Sequence, residues 1–202
     1  MSNSEILKKA KELVELLEKQ EESGKVKLSE LKPGDIFQTT GKRKYKVLEQ
    51  HAGYTNIISL GFVKENVKFD DNTTDYSKSS LKKLCDTEIL EDFEEEFGEE
   101  NIETDVTDLI TVDGQKIGEV KCKVRPLTFD EARKYTELTP NEELDDCYWT
   151  CSAWSTEERG WKYTISVVSP SGRIINYVYY YGLGVRPVCI LKSNIFVSKV
   201  EE

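Results

Sequence analysis

The chain has 202 residues, 38% of them apolar and 33% charged, enough to bury a substantial core without disulfide or metal staples. No apolar run reaches the length that spans a bilayer, and the opening MSNSEILKKAKELVELLEKQ lacks the apolar centre of a secretory signal. A cytoplasm, or something assembled there such as a virion, is therefore the expected setting. The net charge of −10 is concentrated between Asp86 and Asp108, where twelve acidic residues stand without a basic one, and no lysine or arginine stripe elsewhere matches phosphate, which argues against nonspecific nucleic-acid binding.

Ile6, Ala10, Leu13 and Leu17 recur at alternating four- and three-residue steps, which predicts an amphipathic helix over residues 1–22, capped by Ser4. The helix either packs on the domain or pairs with a second copy to make a homo-oligomer, because about two and a half heptads are marginal alone. EESGK ends it, and residues 26–202 are expected to form a single α+β domain. From Val26 the hydrophobic period changes to two. Turns at Pro33-Gly34-Asp35 and Thr40-Gly41-Lys42 punctuate the β-rich runs Asp35–Gln38, Tyr45–Leu48 and Asn56–Leu60, which read as an antiparallel meander. His51, the only histidine, falls at a turn with no carboxylate expected to orient it as a base.

Helical spacing returns at SSLKKLCDTEILEDFEEEFGEENI, where Leu81, Leu84, Ile89, Phe93 and Phe97 can share one side and the acidic residues the other. Ser79 or Ser80 is the expected N-cap and Gly98 the stop. The charge run is either a solvated face or a surface that docks on a basic partner. A turn at TVDGQ follows, and Thr128 with Glu131 has the form of a capping box for a short helix. The five cysteines read as free thiols, and CYWTC has neither redox nor zinc-ligand spacing, so no metal and no cofactor is expected.

Nine of the thirteen Trp and Tyr residues lie between Tyr148 and Tyr181. Within that stretch KYTISVVSPSGRIINYVYY is a hairpin turning at Ser-Pro-Ser-Gly. Alternation puts Ile174, Asn176, Val178 and Tyr180 on the better candidate face for burial, and Arg173, Ile175, Tyr177, Tyr179 and Tyr181 on the other. Such a tyrosine row suits either cross-strand packing or an adaptable binding surface. Gly182 and Gly184 are expected to break the strand. Arg186 is expected to tie the last strand to the sheet as a buried, hydrogen-bonded arginine, or else to meet an anion at the surface.

The blocks NTTDYSKSSLKKLCDTEILEDFEEEFGEENI, VRPLTFDEARKY, CYWTCSAWST, VSPSGRI and YYYGLGVRPVCILKSNIFVS, taken in that order, resemble a family of domains of unknown function common in gut Firmicutes and their phages. The resemblance runs from about Lys27 to Ser198. The Trp block, the hairpin and the Gly-Val-Arg-Pro strand are also similar to the end of a C-type-lectin-like fold, the scaffold of formylglycine-generating enzymes and of the variable proteins of diversity-generating retroelements. That likeness implies a twisted antiparallel sheet with flanking helices, whose C-type-lectin-like C-terminal half forms a recognition surface. The Glu-Pro-Asn and Gln-Pro-Asp calcium tripeptides are absent and Cys189 stands alone, so neither a calcium ion nor a catalytic cysteine pair is carried over.

The reading that follows is a non-enzymatic binding module, phage or prophage encoded, that holds a protein or glycan through Trp154, Trp161, Tyr177, Tyr179 and Tyr181. The alternative is an acidic inhibitor of a host defence protein acting through Glu94, Glu95, Glu96, Glu99 and Glu100. Neither nucleic acid nor membrane is expected as a direct partner. No nucleophile elbow, phosphate-cradling glycine loop or metal-ligand spacing nominates a catalytic residue.

Overall fold

The structure, a computed structural model, describes residue 9, residues 25–39, residue 41 and residues 43–200. The expected helix over 1–22 therefore lies, Lys9 apart, outside the described residues. The remainder is an α+β fold rich in antiparallel sheet. Among the described residues, no helix is long and apolar enough to cross a membrane.

The expected meander is present as β2 (Ile36–Gln38), β3 (Lys44–His51) and β4 (Tyr54–Ser59), paired in sequence. It sits at the centre of a seven-stranded sheet completed by β14 (Phe196–Val200) and β1 (Val26–Lys27) on one side, and by β13 (Pro187–Lys192) and β8 (Val124–Pro126) on the other. A five-stranded sheet runs in the order β11 (Ile174–Val178), β10 (Thr164–Val168), β9 (Tyr148–Ala153), β12 (Gly182–Val185) and β5 (Lys64–Lys68). A separate hairpin joins β6 (Asp105–Ile110) to β7 (Lys116–Cys122).

Helix α1 (Ser80–Leu84) starts where Ser79 Oγ accepts the Lys82 amide at 3.0 Å, so Ser79 is the cap. It continues through a π turn (Cys85–Ile89) into α2 (Leu90–Phe97), which stops at Gly98 with φ +83°. Leu81, Cys85, Ile89, Phe93 and Phe97 are all buried. Five residues at four-residue steps would drift around a regular α-helix by about 40° a step. The π turn, by inserting one residue, takes back much of that drift and keeps the stripe on the core. Phe93 and Phe97 pack in T-shaped contact with the buried Tyr45 ring at centroid separations of 5.7 and 5.0 Å, which fastens the helix to β3.

Two buried arginines organise the rest. Arg125 in β8 forks onto Glu131 at 2.6 and 2.7 Å and reaches Asp105 at 3.0 Å, joining β8, β6 and α3 (Phe129–Lys134). Glu131 also completes the capping box, taking the Thr128 amide at 2.8 Å. Arg186 stands between β12 and β13, where one strand crosses from the smaller sheet to the larger, and is fully buried. Its Nε donates to the Ser59 carbonyl at 2.7 Å, one terminal nitrogen donates to the Thr139 carbonyl, and the guanidinium lies over the Tyr148 ring at 5.3 Å. This is the structural tie that the sequence offered as one of two roles.

Gly182 and Gly184 do not break a strand; they lie inside β12. A side chain at 182 would collide with Asn66 and one at 184 with the Phe62 ring, so glycine is required by close approach. All five cysteines are free, and burial pushes the Cys85 and Cys151 thiols up to about 12.

Candidate functional site

The hairpin β10–β11 turns where Gly172, at φ +80°, donates its amide to the Ser169 carbonyl at 2.9 Å. Register then follows from Val168↔Ile174 to Thr164↔Val178. One step further Tyr179 keeps half of the ladder: its amide still donates to the Tyr163 carbonyl at 3.0 Å, but its own carbonyl turns away to accept the Phe69 and Asp70 amides at 3.0 and 3.3 Å. The chain is drawn into a turn toward the end of β5, and strict alternation ends at Val178. The consequence is a correction to the expected faces. Tyr179, expected outward, is only 4% exposed, while Tyr180, expected inward, is 47% exposed.

The rings nevertheless form one continuous run. Tyr163, Tyr179, Tyr180, Tyr181 and Tyr177 follow one another with successive centroid separations of 5.9, 5.6, 5.3 and 5.5 Å. All but Tyr179 are exposed. At the same end of the sheet Trp154, half-buried, contacts the exposed Trp161 at 6.2 Å. Of the eight large exposed apolar or aromatic side chains among the described residues, five are Trp161, Tyr163, Tyr177, Tyr180 and Tyr181, so exposure is concentrated here rather than scattered.

The tryptophan loop is held from outside the hairpin. Asp113, in the turn between β6 and β7, accepts from Thr111 and Ser155 at 2.5 and 2.7 Å and pairs with Arg159 at 2.9 Å. Thr111, Ser155, Gln115 and Arg159 together hold its carboxyl well below the usual carboxylate range. Lys162 lies 5.8 Å from the Tyr163 ring centroid and pairs with Glu157. Tyr163 and Tyr180 were not singled out as contacts from sequence. The hairpin register, extended one step past Thr164↔Val178, is the signal that pairs Tyr163 with Tyr179.

The acidic segment is divided by the fold. Glu94 and Glu99 pair with Lys123 at 2.7 and 3.4 Å. Glu96 accepts from Thr39 and from Tyr45, whose hydroxyl is raised by burial and by that bond. Asp92 pairs with Arg43 and Glu88 with Lys64. Only Glu95 and Glu100 of the five nominated glutamates are exposed with no ion pair among the described residues. His51, expected to lack a carboxylate, lies 3.1 Å from Glu49.

Family models, curated proteins and solved structures contain no match to this chain.

Proposed function

We propose that the protein is a non-enzymatic binding module that captures a protein or glycan on the tyrosine run, with Trp161 and Trp154 as a second contact beside it. The observation that carries this reading is the continuity of five tyrosine rings, four of them exposed, on a backbone pinned at Tyr179. Tyrosine gives large contact area at small entropic cost together with a polar tip, which suits it to recognition. The finer reading is a C-type-lectin-like fold in a member of the phage-associated family its blocks resemble, working in a host cytoplasm or a virion. Support for the fold part of that reading comes from the pairing of β1 with β14 at the two ends of the domain and from the C-terminal hairpin that presents the aromatic run. The acidic reading is weaker, because Glu94, Glu96 and Glu99 are engaged within the molecule.

The test compares wild type with Tyr177→Ala/Tyr181→Ala, matched for melting temperature, on a glycan array and on immobilised host proteins. A ligand held by wild type and weakened at least about tenfold in the double variant supports the proposal. A ligand held equally by both removes the tyrosine run from recognition.

A further inference from the structure

Two features stand outside the tyrosine run. One is a cavity of about 250 Å³ between α3 and the larger sheet, walled by Leu48, Val188 and Ile190 over the cross-strand row Glu49, Asn56 and Ile190. Its carboxylates, Glu49, Asp105 and Glu131, are already paired with Lys134 and Arg125, so it calls for no charged guest. The other feature is the outer edge of β11.

The ladder between β10 and β11 is bracketed by bonds at both ends, Ser169 donating to the Arg173 carbonyl at 2.9 Å and Tyr179 to the Tyr163 carbonyl at 3.0 Å. Bonded and non-bonded positions alternate in an antiparallel pair, so Ile175 and Tyr177 direct their backbone groups at β10, while Ile174, Asn176 and Val178 point theirs away from it, off the end of the sheet. Among the described residues, the amides of these three and the carbonyls of Ile174 and Asn176 meet no partner; the Val178 carbonyl takes the Tyr181 amide at 3.3 Å.

The other outer edges of the two large sheets are blunted. Strand β1 has two residues, β8 has three with Pro126 among them, and β5 reads Lys-Glu-Asn-Val-Lys with Asn66 at φ +53°. Short length, proline, lysine and a local kink each discourage an added strand. Strand β11, Ile-Ile-Asn-Tyr-Val, has no charge, no proline and an unbroken register. It is also its own complement. About a two-fold axis at Asn176, that residue meets the partner's Asn176, Ile174 meets the partner's Val178, and Ile175 meets the partner's Tyr177. Aliphatic thus faces aliphatic, β-branched faces aromatic, and no like charges are opposed.

We propose that two copies of the chain join edge to edge through β11, antiparallel about an axis at Asn176, so that their five-stranded sheets become continuous. Ile174, Asn176 and Val178 exchange backbone hydrogen bonds across the axis. The contact sets Tyr177 beside the partner's Ile175 and offers a repetitive ligand two tyrosine runs at once. The dimer does not rest on such a ligand and stands if the run binds nothing.

Sedimentation equilibrium of the full chain from about 5 to about 200 µM tests it, with amide exchange followed by nuclear magnetic resonance at both ends of that range. Wild type is expected to pass from monomer to dimer, and the amides of Ile174, Asn176 and Val178 to exchange at least about fivefold more slowly at the higher concentration. Asn176→Lys sets two ammonium groups face to face across the axis, and Asn176→Pro removes an amide that bonds nothing within the described chain. Each is expected to weaken dimerisation at least about tenfold with the melting temperature little changed. Asn176→Cys is expected to form an interchain disulfide under copper–phenanthroline, because directly opposed bonded residues lie about 5.5 Å apart at Cα. A wild type still monomeric at about 200 µM would overturn the proposal. So would amides equally protected at both concentrations, which would mean that the chain covers its own edge, or a dimer that neither Asn176→Lys nor Asn176→Pro weakens.

Discussion

Replacing Tyr179 and Tyr181 separately by alanine distinguishes a ring that supports the surface from one that makes contact. Tyr179 is 4% exposed and its backbone is bonded to Tyr163, Phe69 and Asp70, so truncation leaves a cavity that the fixed chain cannot close. Removing a buried aromatic side chain costs about 3–5 kcal/mol. Tyr181 is 52% exposed and loses mainly its ring contacts with Tyr177 and Tyr180, about 1 kcal/mol. For a chain of this size each kcal/mol moves the melting temperature by about 2–4 °C, so Tyr179→Ala is expected to fall by about 10 °C and Tyr181→Ala by about 3 °C. Tyr179→Phe, which keeps the packing, is expected to stay within about 1 kcal/mol of wild type. Thermal unfolding followed by far-UV circular dichroism measures all three. Equal melting temperatures for the two alanine variants would refute the assignment of Tyr179 as the buried support.

Two further outcomes follow from the buried arginines. Burial pushes the Glu131 carboxyl up, but the charge and hydrogen bonds of Arg125 with the Thr128 amide outweigh it and leave its pKa below the ordinary 4.5. A depressed carboxylate contributes stability that is present above the ordinary value and is lost as pH falls through the folded one. Denaturant titrations across that acid range should therefore show a decline that Glu131→Gln flattens, while at pH 7 Glu131→Ala costs about 3 kcal/mol; an unchanged acid limb in Glu131→Gln contradicts this. At Arg186, lysine cannot reach the Ser59 and Thr139 carbonyls together while covering the Tyr148 ring, so Arg186→Lys is expected to lose at least about 2 kcal/mol in urea unfolding, little better than Arg186→Met. Full rescue by lysine would show that charge alone suffices there.

The local parts of the fold were legible because their causes are local. Ser-Pro-Ser-Gly sets a turn whatever surrounds it, Thr128 and Glu131 cap a helix within three residues, and the meander follows from period two. What was not legible depends on distant partners. The end of β11 is decided by amides at Phe69 and Asp70, and no periodicity in INYVYYY reports them. Strand β5, KENVK, has no apolar alternation and becomes a strand by pairing with β12. The acidic run looked unpaired because Arg43, Lys64 and Lys123 lie elsewhere in the chain. The cavity row Glu49–Asn56–Ile190 exists only once three strands are in register.

The crossing at Arg186 sets the phase of both sheets at once. In a strand, a slip of one residue exchanges inward and outward side chains. Such a slip along residues 182–192 would lift Arg186 from its carbonyls and seat Val185 or Pro187 in a polar socket, while driving the flanking residues against Phe62 and Asn66. The guanidinium therefore acts as an indexing pin. Tyr181 just before this strand and Val188 and Ile190 within it, one in the exposed tyrosine run and two on the wall of the cavity, are kept in fixed alignment by a single side chain.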